Sequence, residues 1–134
     1  MSVNLIQEIS DNELAVCGKS LPTAQFKLYQ INFKTAGFET LPQSYWEFMK
    51  NLNGVYYDGA ELYALNPETK AFKDLLAVNQ KFQNTDIILL GENDQDWLVF
   101  DTDEEEFQIL DKTDLTIWKH NENFEPLLAY LLRI

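Results

Sequence analysis

Apolar residues recur with a helical period in five stretches of the chain and with strand-like spacing between them. Residues 3–16 carry Leu5, Ile6, Ile9 and Leu14 on one side, which predicts a helix stopped by Gly18. Ser20-Leu21-Pro22 reads as the start of a second helix, because a proline in the first turn leaves no amide unpaired. Over residues 23–36, Phe26, Tyr29, Phe33 and Ala36 recur near helical spacing, and Gly37 stands where a C-terminal cap belongs. Tyr29, Ile31 and Phe33 also alternate, which suits a strand; the helix is the expectation taken forward. Pro42 opens a third helix, in which Tyr45, Phe48, Met49 and Leu52 form one apolar face, and Asn53-Gly54 ends it. Trp46 falls off the centre of that stripe, at the core edge or in solvent, and Tyr56 and Tyr57 fall in the loop that follows.

The second half changes period. Residues 61–65 are short and β-prone, and residues 70–83 return to helical spacing with Phe72, Leu75, Leu76 and Phe82. Residues 86–90 are a continuous apolar run, as in a central strand. Residues 97–101 and 107–110 flank an acidic tip and predict a hairpin, and residues 115–119 predict a further strand. The chain closes on a helix whose face is Phe124, Leu127, Leu128, Leu131 and Leu132, with Pro126 in its first turn. Helices first, then strands, then a helix predict an α+β fold: one domain, a mainly antiparallel sheet, helices packed on one face.

Composition supports that picture and adds one feature. The 134 residues match the roughly 100–200 of a single domain, and 46% hydrophobic content is enough to offset chain entropy. Ten Lys and Arg against 22 Asp and Glu give a net charge of −12. That balance argues against nucleic acid and anionic membranes, which need a positive surface, and favours a basic protein partner. Cys17 is the one cysteine, so no intramolecular disulfide or CxxC site exists, and it reads as a small buried hydrophobe. The start of the chain has no basic segment before an apolar run, and no apolar stretch reaches a membrane span, so the expected location is the cytoplasm.

Catalytic chemistry finds little to work with. His120 is the one histidine, placed just before the last helix, and no GxSxG nucleophile turn occurs. The five glycines are not grouped, which rules out a phosphate-cradling loop. Asp101, Asp103 and Glu105 fit the first three ligand positions of a calcium loop, but Glu106 and Lys112 stand where it needs glycine and glutamate. No pair of carboxylates is singled out for acid–base work. The expectation is a protein that is not an enzyme and holds no cofactor or metal.

The acidity itself is local. Residues 92–114 hold ten acids and the single base Lys112, which is −9 of the −12. The functional reading is a docking surface made by Asp94, Asp96, Trp97, Asp101, Asp103, Glu104, Glu105 and Glu106. Tyr56, Tyr57 and Asp58 are secondary candidates, the aromatic rings serving as interface anchors. The structural alternative is a solvated hairpin that resists edge-to-edge aggregation by self-repulsion.

The order of motifs resembles the SUKH superfamily. Leu41-Pro42, Tyr45, Phe48, Asn53-Gly54 and Glu61-Leu62-Tyr63 follow its LP-x-x-Y-x-x-F, NG and LY pattern. The helix ahead of Leu41, the strand Trp97-Leu98-Val99-Phe100-Asp101 and the closing leucine-rich helix also match, so the resemblance covers about residues 21–134. It departs at Val55, and at Asn93-Asp94-Gln95-Asp96, where members often carry glycines. The resemblance implies a non-enzymatic α+β binding domain. Bacterial members are commonly immunity proteins that neutralise a toxin, often a nuclease; fungal relatives are regulatory scaffolds in cell-wall signalling. It implies structural roles for Pro42, Gly54, Tyr45, Phe48 and Tyr63, and it supplies no partner-binding positions.

Overall fold

The computed structural model describes residues 4–38, 41–68, 70–84 and 86–134. Twelve elements follow in chain order among them: α1 (Leu5–Asp11), β1 (Val16–Cys17), α2 (Thr23–Thr35), α3 (Gln43–Asn51), β2 (Val55–Tyr57), β3 (Ala60–Leu62), α4 (Leu75–Phe82), β4 (Ile87–Glu92), β5 (Asp96–Asp101), β6 (Glu106–Asp111), β7 (Ile117–Asn121) and α5 (Phe124–Leu132). The strands form one antiparallel sheet in the order β1 to β7, each pairing with its neighbour in sequence. The fold is α+β, with α5 packed on the sheet.

Ring packing joins the layers. Phe124 of α5 meets Phe107 of β6 at 5.4 Å, and Tyr45 and Phe48 of α3 at 5.1 and 5.2 Å between centroids. The amphipathic faces predicted for α3 and α5 are therefore the two sides of one seam. Trp46 is buried, edge-on to Phe26 and Phe33, so it joins α3 to α2 instead of marking the core edge. In α2, Tyr29 and Phe33 are buried while Ile31 is exposed, which decides for the helix.

Three segments differ from the sequence reading. The first helix stops at Asp11, because Asn12 turns the chain and its side-chain oxygen accepts from the Leu14 amide at 2.9 Å. Leu14 is then 77% exposed, and residue 3 lies outside the described residues. Val16 and Cys17 form edge strand β1 on β2, so Cys17 is exposed and is not a buried hydrophobe. Tyr56 and Tyr57 belong to β2, not to a loop, and His120 lies within β7.

Two buried amides hold the backbone where the sheet meets the loops. Asn53 donates to the Lys19 and Leu65 carbonyls and accepts from the Leu65 amide at 2.7 Å. Gly18 lies against this knot: a Cβ there would sit 1.8 Å from the Asn53 carbonyl oxygen. Gly54 takes φ +93°, a conformation that side chains rarely adopt, beside Ala64. Pro42 caps α3, and Tyr45, Phe48 and Tyr63 are buried, as the structural reading of the motif requires.

Candidate functional site

The acidic segment maps onto β4, β5, β6 and β7 and the turns between them. Side chains alternate across a sheet, so register assigns the faces. Asp96, Leu98 and Phe100 of β5 oppose Asp111, Ile109 and Phe107 of β6 on the face covered by α5. Trp97, Val99 and Asp101 oppose Leu110, Gln108 and Glu106 on the far face. A six-residue strand spans about 17 Å, so the acids at the two ends of β5 form separate groups.

One group is the β5–β6 turn. Asp101 accepts from the amides of Asp103 and Glu104 at 2.9 and 3.0 Å, and Glu105 takes a left-handed φ of 53°. The tip is thus ordered by its own first acid. Asp103, Glu104 and Glu105 are exposed. Glu106 is engaged by the Gln108 amide at 2.9 Å and by His120 Nδ1 at 3.2 Å.

The other group is the β4–β5 turn. Exposed Asp94 accepts from Arg133 at 3.3 Å. Asp96 is buried directly opposite Asp111. Burial first, then the facing Asp111, push its carboxyl above the usual carboxylate range, against the pull of Arg133. A group whose pKa is raised on folding destabilises the folded state once it ionises. Asp96→Asn keeps the shape and removes the charge. It is expected to raise Tm at pH 7, with the difference vanishing near about pH 3, where the native carboxyl is also protonated. Thermal melts at the two pH values check this, and an unchanged or lower Tm at pH 7 counts against it.

Trp97 is half-buried. Its ring lies 5.8 Å from Phe82, and the Lys112 ammonium stands 5.9 Å from its centroid. Beside it, Glu92 takes Lys73 at 2.5 Å, Lys112 at 2.6 Å and the Tyr63 hydroxyl at 3.1 Å. Burial opposes the charge of Glu92, and the hydrogen bonds from Lys112 and Lys73 outweigh it, so the carboxyl titrates below its ordinary value. Glu61, its cross-strand neighbour, is raised by burial although it accepts from the Lys73 amide at 2.6 Å. With both carboxylates engaged, this cluster reads as a structural ion-pair network.

Tyr56, Tyr57 and Asp58 lie on the β2–β3 hairpin, whose turn uses Asp58 and Gly59 at φ 48° and 84°. Three strand spacings, about 14 Å, separate β2 from β5. The eleven residues singled out from sequence therefore occupy three places and not one surface.

What the sequence reading missed lies on β7. Leu115, Ile117 and Trp118 are 50%, 51% and 55% exposed. The β6–β7 pairing slips so that Ile109 faces Lys119 and Leu110 faces Ile117, which leaves Trp118 as the extra residue of a β-bulge. Lys119 lies 4.9 Å over the Tyr130 ring of α5, so Trp118, one residue earlier, alternates to the far face. Asp111 and Asp114 stand at one end of this apolar stripe, and Glu106 and the acidic tip at the other. One signal was available: in a meander the last strand before a closing helix is an edge, and apolar side chains there lack a neighbouring strand.

Among the described residues, no group of three or more His, Cys, Asp or Glu side chains is placed to hold a metal ion, and no helix is long and apolar enough to cross a membrane. No protein-family model matches the chain, and no curated protein matches it.

Proposed function

We propose that this protein is a non-enzymatic binding domain for a basic protein. On its resemblance to the SUKH superfamily, it acts in the cytoplasm as an immunity protein that neutralises a toxin, a nuclease in the first instance. The observation that carries the reading is the stripe of Leu115, Ile117 and Trp118 on an edge strand, framed by acids at both ends. A half-exposed tryptophan with apolar neighbours suits an interface anchor. The acidic frame supplies long-range attraction to a basic surface and raises the rate of encounter by about 10–10³-fold. Nuclease toxins fit this description because they must hold nucleic acid.

Capture on the immobilised protein tests the proposal, using catalytically disabled basic toxin domains and host lysate at about 50 and 500 mM salt, a range over which the Debye length shrinks about threefold. The expected result is retention of a toxin domain that weakens at high salt. Retention of host proteins alone would replace immunity by a regulatory scaffold role. Trp118→Ala should weaken capture about 30- to 1000-fold while changing stability by less than about 0.5 kcal/mol. Unchanged capture by this variant would remove β7 from the interface.

A further inference from the structure

We propose that the cavity beneath the C-terminal end of α5 is a receptor for a guanidinium group, filled by an arginine side chain of the basic partner. This rests on the reading above that the partner is a basic protein. The cavity has a volume of about 350 Å³ and lies between the β4–β5 turn, which supplies Asn93, Gln95 and Asp96, and the end of α5, which supplies Tyr130 and Arg133.

Asp96 distinguishes this cavity. It is only 7% exposed, yet among the described residues its carboxylate accepts no hydrogen bond and joins no ion pair. The other acids nearby are engaged. Asp111 accepts from the amides of Thr113 and Asp114, Asp114 from the Thr116 amide, and Asp94 from Arg133. A buried carboxylate with unused lone pairs costs free energy unless a donor reaches it. The cavity is the route by which a donor can arrive.

The charge around it selects a cation. Asp111 faces Asp96 across the β5–β6 pair. The C-terminal end of α5 adds the negative pole of the helix. The ligand is a guanidinium rather than a metal ion, because one carboxylate is a poor metal site but presents two oxygens to a planar fork of N–H donors. Tyr130 adds an aromatic ring at the cavity wall, and that ring already carries the Lys119 ammonium at 4.9 Å. Arg133 is the resident competitor. It lines the cavity, but its guanidinium is turned to Asp94 in a pair of which both partners are more than half exposed, a weak arrangement.

The test is an ¹⁵N NMR titration of the full chain with N-acetyl-arginine amide and, separately, with N-acetyl-citrulline amide, its uncharged near-isostere. The expected result is saturable shifts centred on the amides of Gln95, Asp96, Arg133 and Ile134, with the citrulline compound binding about tenfold or more weakly. Asp96→Asn should weaken the arginine probe by about the same factor. Arg133→Gln, which removes the competitor, should tighten it by about threefold. A merely structural Asp96 would produce neither opposite-signed response. Absence of saturable shifts at the cavity, equal binding of citrulline, or indifference to Asp96→Asn would overturn the proposal. The titration contains no partner protein, so the two readings fail separately. Probe binding with failed capture sinks the basic partner and spares the receptor; capture without probe binding sinks the receptor alone.

Discussion

Asn79→Ala will lower the unfolding free energy by about 3–4 kcal/mol, although it removes only one small polar side chain from a helix face. β3 pairs with β4 only at its end, Glu61 with Glu92 and Leu62 with Gly91, and then turns away. The edge of β4 below that point is covered by α4. There the fully buried Asn79 amide donates to the Leu89 carbonyl at 2.9 Å, and its oxygen accepts from the Leu89 amide at 2.8 Å. The same amide nitrogen also donates to the Leu75 carbonyl at 2.9 Å. One side chain thus stands in for a missing strand. Alanine leaves a buried N–H and a buried C=O without partners, each worth about 1–3 kcal/mol, while gaining a little in helix propensity. Urea denaturation measures the loss, and faster hydrogen exchange at the Leu89 amide localises it. A loss below about 1 kcal/mol would show that water reaches this edge and replaces the amide.

Phe124→Ala is the second large effect, at about 3–5 kcal/mol. The ring is buried and meets Phe107, Tyr45 and Phe48, so it touches sheet, α3 and α5 together. The expected cost has two sources, lost transfer of the ring from water and a cavity that three elements cannot close at once. A domain of this size holds about 5–15 kcal/mol in all, so the variant should unfold at markedly lower urea and, at the weak end of that range, fail to fold at 37 °C. Phe124→Leu refills most of the volume and should recover more than half of the loss. Equal losses for Ala and Leu would mean that the aromatic edge contacts, and not the volume, hold the seam.

The elements that the sequence made legible are those whose signal is local. The face of Tyr45, Phe48 and Met49 in α3 and the leucines of α5 repeat within one element, so their period predicts both helix and burial. The β5–β6 hairpin is similar, because its two apolar runs are joined by a short acidic turn. β1 was not legible. It has two residues, and its partners Val55 and Tyr56 lie almost forty positions away. Nothing local distinguishes such a segment from the end of a helix, and the exposure of Cys17 went wrong with it.

The candidate site divides along the same line. Sequence alone determined that the acids concentrate in residues 92–114, that the protein is strongly anionic, and that the fold is α+β, because composition and period are properties of neighbours in the chain. Only the tertiary structure decided how those acids are used. Strand length carried residues 101–106 and the Asp94–Asp96 turn to opposite ends of the sheet, and alternation turned Asp96 under α5 while its neighbour Trp97 went to the far face. The place of β7 at the end of the meander left Trp118 without a covering strand. Burial and partnership depend on what arrives from elsewhere in the chain, and that is set by packing between elements, not by the residues on either side.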